Sequence, residues 1–160
     1  MDRRTFHRVG LGIIAMFAPT YAEASPAEVE RTAAQLHRVS IQVSTDDHRT
    51  QELALTNARN FAAYYKEKGE AFAIEVVAFG PGYGMLQQDV SSVGAVIANL
   101  MQDFGTSLSF SACQNTRRAI AKAKGVKPDE ITQIQGVRDT PSGVVRLAEL
   151  QKQGWSYIKP

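Results

Sequence analysis

Ser107-Leu-Ser-Phe-Ser-Ala-Cys113-Gln-Asn-Thr-Arg-Arg118 holds the only cysteine of the 160-residue chain. Leu108, Phe110 and Ala112 alternate with serines, the period-2 pattern of a half-buried strand. Polar Gln114, Asn115 and Thr116 follow, and then Arg117 to Ala121, which reads as the start of a helix. The thiol is therefore expected at a strand-to-helix turn. Helix-terminal N–H groups and the positive dipole end favour a thiolate there, and Arg117 and Arg118 add positive charge one turn on. Two readings of Cys113 stand side by side. It is a nucleophile or sulfur carrier, or it is a small apolar residue that closes a strand, since free cysteine is often simply buried.

Working outward, the same alternation of strand and helix repeats along the chain. His37 to Ser44 alternates apolar and polar residues as a strand, and Thr45-Asp46-Asp47-His48 supplies a turn with helix-capping residues. Ala54, Ala58, Phe61, Ala62 and Tyr65 mark one face of a helix, which Lys68-Gly69 closes. Phe72 to Phe79 is a near-continuous apolar run, as expected of a strand covered on both faces. It enters Gly80-Pro-Gly-Tyr-Gly84. Val93, Val96, Ile97, Leu100, Met101 and Phe104 mark a second helix, closed by Gly105. The cysteine strand and its helix to Lys124-Gly125 come next. A short helical turn is expected over Lys127 to Ile131, a fourth strand over Ile134 to Val137, a last helix from Pro141-Ser142-Gly143 to Gln153-Gly154, and a final strand over Trp155 to Lys159.

This alternation predicts a single α/β domain with a doubly wound, mostly parallel five-stranded sheet and helices on both faces. In such sheets the site lies beyond the carboxyl ends of the strands. Those ends are Thr45-Asp46-Asp47, Gly80-Pro81-Gly82, Cys113-Gln114-Asn115 and Pro141-Ser142-Gly143, which are expected to share one edge.

The first 24 residues read differently. A basic start with Arg3, Arg4 and Arg8, a short apolar run from Val9 to Ala18 and Ala22-Glu23-Ala24 form the pattern of a cleaved secretory signal. The run is too short for a permanent membrane anchor. Arg3-Arg4-Thr5-Phe6 is similar to a twin-arginine signal, whose route exports folded proteins. The expectation is export, to a bacterial periplasm, of a mature chain beginning near Ser25, with residues 25–36 as an arm and 37–160 as the domain. That chain holds 15 Lys/Arg against 14 Asp/Glu, a net charge of +1, and has no basic stripe with interleaved aromatics, so no nucleic-acid partner is expected. A single cysteine forms no internal disulfide; in an oxidising compartment it is buried, paired with another chain or chemically engaged.

Other clusters point less far. Gly80 to Gly84 lacks the lysine and serine of a phosphate loop, and is expected as a tight strand exit that walls a pocket beside the thiol. Asp46-Asp47-His48 reads as a cap rather than a metal site, because no second ligand stands at a useful spacing. His37 and His48 are formally available to Cys113 as a catalytic base, with no family signature around them. Asn57 and Asn60 lie inside a helix, where asparagine is a poor former; Asn57 is either tolerated or holds a loop.

Ile41-Gln-Val-Ser-Thr-Asp46, Leu55-Thr-Asn57-Ala58-Arg59-Asn60, Glu75 to Gly82, Phe110-Ser-Ala-Cys113-Gln-Asn115-Thr116 and Pro141 to Val144 through Trp155 together resemble the DsrE/DsrF-like sulfur-relay family, over Val39 to Tyr157. The resemblance implies a doubly wound five-stranded sheet, assembly as a trimer or hexamer, and a persulfide carried on Cys113, with Asn115 and Thr116 framing its loop. Relay members act in the cytoplasm with dedicated partners, whereas this chain carries an export pattern. The candidate site is Cys113 as reacting group, with Asn115, Thr116, Arg117, Asp46, Asn57, Gly80, Gly82, Ser142 and Gly143 framing it or stabilising an anion. The chemistry is thiol chemistry without a bound cofactor or metal, and its partners are further copies of the chain and sulfur donor and acceptor proteins. The alternatives are a non-catalytic ligand-binding or scaffold oligomer and a thiol redox sensor.

Overall fold

The computed structural model describes residues 36–160; the expected export segment over 1–24 and all but the last residue of the expected arm over 25–36 lie outside the described residues. Five strands, β1 (His37–Val43), β2 (Phe72–Ala78), β3 (Leu108–Cys113), β4 (Arg138–Thr140) and β5 (Ser156–Ile158), form one sheet in the order β4-β3-β2-β1-β5. Every neighbouring pair is parallel. The connections carry four helices, α1 (His48–Glu67), α2 (Gly94–Phe104), α3 (Gln114–Lys124) and α4 (Gly143–Lys152). The fold is the single doubly wound α/β domain that the sequence pattern predicts.

The order of the strands decides which helix covers which face. From β1 to β4 the chain steps one way across the sheet, and after β4 it returns to the far side of β1. With right-handed crossovers that reversal puts α4 on the opposite face from the other three helices. The burial agrees. Val39, Ile41, Ile74, Val76 and Phe110 pack with Ala54, Leu55 and Ala58 of α1 and Ile97 and Leu100 of α2 in the larger core. Val77 packs with Leu147 and Leu150 of α4 in the smaller one. One helix cannot lay apolar side chains over five strands, and the residues on its face are correspondingly polar. Ser40, Glu75 and Ser109 form one row across the sheet, and Gln42, Val77, Ser111 and Arg138 the next. This is why serines alternate along β3.

The helix that follows β1 starts where Asp47 stops it. Asp47 Oδ2 accepts from the Thr50 N–H (2.8 Å) and from the Thr50 hydroxyl (2.7 Å), satisfying one of the free donors of the first turn. Those bonds, the hydroxyl first, hold the Asp47 carboxyl below its ordinary value. A depressed carboxyl stabilises the fold above the unfolded-state pKa and loses that contribution as pH falls through the folded one. Asp47→Ala is therefore expected to lower the melting temperature by a few degrees at neutral pH, and the gap to wild type to close below about pH 4. Thermal melts at two pH values check it.

Two local expectations are corrected. The fourth strand is Arg138–Thr140 rather than Ile134 to Val137. Ile134 is apolar because its side chain enters the larger core, while its N–H bonds to Leu86 O at 3.0 Å. Gly136 then turns the chain at φ +90°, and the edge strand that follows is polar and short, as edge strands are. The Gly80 segment is not a tight turn but a 3-10 helix, Gly80–Leu86, entered through Gly80 at φ +54°.

Candidate functional site

Cys113 is the last residue of β3 and the N-cap of α3, with φ −71° and ψ 116°. A parallel sheet places all the strand exits on one edge, so this junction meets the exits of β1, β2 and β4. The N–H of Gly143 at the start of α4, the hydroxyl and N–H of Thr116 and the N–H of Asn115 in the first turn of α3 surround the thiol and favour its anion, while the side chain itself makes no capping hydrogen bond. The Thr116 hydroxyl accepts the Gly80 N–H at 2.9 Å, which ties the exit of β2 to the first turn of α3. Burial pushes the thiol up. The Gly143 amide, the Thr116 hydroxyl and the two α3 amides pull the other way and prevail, so Cys113 titrates below an ordinary thiol. The side chain is only 4% exposed.

Gly143 packs closely against Phe79 because it has no side chain. A Cβ there would lie 2.7 Å from Cδ1 and 3.0 Å from Cβ of Phe79. Gly82 plays the equivalent part at the exit of β1, where a Cβ would lie 2.4 Å from Val43 O. Ser142 caps α4, and its carbonyl accepts the Arg146 N–H at 2.9 Å. The expected edge is thus assembled from Gly80, Cys113, Asn115, Thr116 and Gly143.

Other candidates are placed elsewhere. Arg117 turns from the thiol: its Nε donates to Ile131 O at 3.1 Å and its guanidinium lies 3.6 Å from Asp139. Arg118 donates to the side-chain oxygen of Asn115, so the Asn115 side chain is engaged there and not at the thiol. Asn57 lies ten residues beyond the cap of α1, roughly 15 Å along the axis away from this edge. His48 bonds Ser92 (3.0 Å) and lies 3.3 Å from the Glu52 carboxylate, and His37, at the opposite end of β1, pairs with Glu70 at 2.7 Å and stacks on Tyr65. Neither histidine is engaged with Cys113. Among the described residues no three His, Cys, Asp or Glu side chains gather as a metal site, and no helix is long and apolar enough to cross a membrane.

Two cavities flank the junction. A groove of about 550 Å³, lined by Asp46, Gly80, Pro81, Gly84, Gln87, Val90 and α3 residues that include Thr116, opens on one side. On the other, a pocket of about 240 Å³ is walled by Glu75, Ser111, Arg138, Asp139, Thr140, Pro141, Arg146 and Glu149. Ser111 and Thr140 are the neighbours of Cys113 along β3 and across to β4.

Sequence reasoning passed over the charged group in that pocket. Glu75 is 3% exposed, and its carboxylate accepts from Arg146 Nε (2.7 Å), Arg146 Nη2 (2.6 Å) and Ser111 Oγ (2.6 Å). The available signal was an acid inside the otherwise apolar run Phe72 to Phe79. A polar chain on the other sheet face also went unread: Gln133 donates to Tyr83 Oη (2.8 Å) and to Asp139 (3.0 Å).

A doubly wound parallel sheet with a buried free thiol at its carboxyl edge defines the class of this protein. Among solved structures it is similar to the protein of unknown function MTH1491 from Methanobacterium thermoautotrophicum, with a TM-score of 0.64 and 31% identity over 78% of this chain and 99% of the archaeal one. The chain belongs to the family of that archaeal protein. No family model matches the chain, and no curated protein matches it.

Proposed function

We propose that the protein takes up sulfur on Cys113 and passes it on, as its resemblance to the DsrE/DsrF-like relay proteins implies. The thiolate attacks the outer sulfur of a sulfane-sulfur donor. A new S–S bond forms on Cys113, the donor's own bond to that sulfur breaks, and the leaving group departs with the electron pair. An acceptor thiolate then attacks the outer sulfur in the same way and regenerates Cys113. Neither step needs an outside oxidant or reductant. The observation that carries this reading is the place of Cys113 at the N-cap of α3 on the carboxyl edge of the sheet, where surrounding N–H groups favour the anion that attack requires. Export through the segment over residues 1–24, a periplasmic setting, assembly as a trimer or hexamer, and separate donor and acceptor proteins belong to the same proposal.

The test is the intact mass of the protein after incubation with thiosulfate or an organic persulfide, beside Cys113→Ser. Wild type is expected to gain one sulfur atom and Cys113→Ser none. An adduct on both, or on neither, overturns the reading.

One observation favours a second reading. At 4% exposure Cys113 resembles a packed side chain, and grooves of several hundred Å³ flank it. A small-ligand-binding or scaffold oligomer would leave the thiol inert and melt higher with its ligand. The same burial argues against a redox sensor that forms disulfides between copies.

A further inference from the structure

We propose that the buried Glu75–Arg146 ion pair is the positioning device of the Cys113 site, seating α4 on the sheet so that its first residue, Gly143, three residues beyond the strand partner of Cys113, stays beside the thiol. The inference rests on Cys113 acting as a thiolate. The pair joins three elements. Glu75 stands on β2, Ser111 two residues before Cys113 on β3, and Arg146 on α4, one turn after Gly143. Its two parallel N–H···O bonds, 2.7 and 2.6 Å, fix both the distance and the direction of the helix over the sheet.

The other contacts of α4 do not supply that precision. Leu147 and Leu150 rest on Val77 through apolar contact, which is non-directional and tolerates a slide along the strand. At the site a slide is costly, because Gly143 already lies against Phe79 and its N–H is one of the groups that favour the thiolate. Stability alone does not call for the pair either, since well-packed apolar side chains in place of a buried ion pair are often as stable or more so. What apolar side chains cannot reproduce is the register.

The ionisable groups around the thiol are shared out among the elements. Tyr83 of the 3-10 helix feels the charges of Cys113, Arg117 and Asp139. Arg138 and Glu149 stand with Glu75 and Arg146 around the adjoining pocket. Only Glu75 and Arg146 are altered in the test, so the direct fields of the others stay in place.

The test is the titration of the cysteine ¹³Cβ resonance in the full chain, where one cysteine gives one signal, for wild type, Glu75→Gln, Arg146→Lys and the double variant Glu75→Leu/Arg146→Met. Wild type is expected to titrate below a free thiol. Glu75→Gln and the double variant are expected about one unit or more higher, as the loss of one hydrogen bond to an anion predicts. Arg146→Lys keeps the charge but cannot make the paired bonds, and is expected in between. The double variant should melt near wild type, which separates loss of register from loss of stability. If it titrates with wild type, or, should it not fold, if Arg146→Lys does so, the inference is overturned. Sulfur uptake is read separately. Uptake without any shift among the variants removes the positioning role alone, and shifts without uptake remove the sulfur-carrier reading alone.

Discussion

Arg146→Ala is expected to destabilise the protein by about 3–5 kcal/mol, the cost of stranding one partner of a buried ion pair. The size follows from which partner is left behind. Glu75 is 3% exposed, and without the guanidinium its carboxylate retains only the Ser111 hydroxyl. Glu75 stands on the central strand β2 with a side chain shorter than that of arginine, so it is less able to turn its charge into solvent. The reverse change is milder. In Glu75→Ala the stranded group is Arg146, whose side chain is 31% exposed and long enough to turn its charge into solvent. The melting temperature is expected to fall by roughly 10–20 °C for Arg146→Ala, at about 3–4 °C per kcal/mol for a chain of this size, and by clearly less for Glu75→Ala. Equal losses would mean that the pair is solvated from both ends.

Gly82→Ala is expected to cost about 3 kcal/mol or more, at or beyond the usual upper range for overpacking. The added Cβ would lie 2.4 Å from Val43 O, 2.7 Å from Val43 C and 2.9 Å from Ser44 N, all of them backbone atoms at the end of β1. No rotamer change relieves such a contact. Either the 3-10 helix lifts off or β1 gives way, and lifting the 3-10 helix draws Gly80 from the Thr116 hydroxyl that it holds at 2.9 Å. The control lies two residues on. A Cβ at Gly84 meets only Val90 Cγ1 at 3.9 Å, so Gly84→Ala is expected to melt close to wild type. If Gly82→Ala melts with Gly84→Ala, the close approach is not required.

The fold was legible because its signals are local. The alternation at Leu108, Phe110 and Ala112, the apolar run of β2 and the capping residue Asp47 each follow from one element and its nearest neighbours. The order of the strands was less so, because β4 and β5 are three residues each and carry little apolar signal. Ile134 misled for the same reason: an apolar residue in a loop that plugs the core looks like a strand residue until the core is seen. At the site, the thiol and its helix-terminal amides could be anticipated from the strand-to-helix junction. The engagement of Arg117 with Asp139 could not, since Asp139 is 22 positions away in sequence and arrives with β4. Glu75 and Arg146, 71 positions apart, carry no motif at all; only the fold brings them together.

The most direct measurement on Cys113 as a buried but working thiolate is its alkylation rate by iodoacetamide in the folded chain, followed against pH with Cys113→Ser as blank. The N–H and hydroxyl groups around the thiol hold its pKa down, so the thiolate persists to a lower pH than in a free thiol. The rate is expected to rise through an apparent pKa below about 8.5 and to level off above it. A rate that follows the free thiol, or a cysteine that reacts only once the protein is unfolded, would contradict the account.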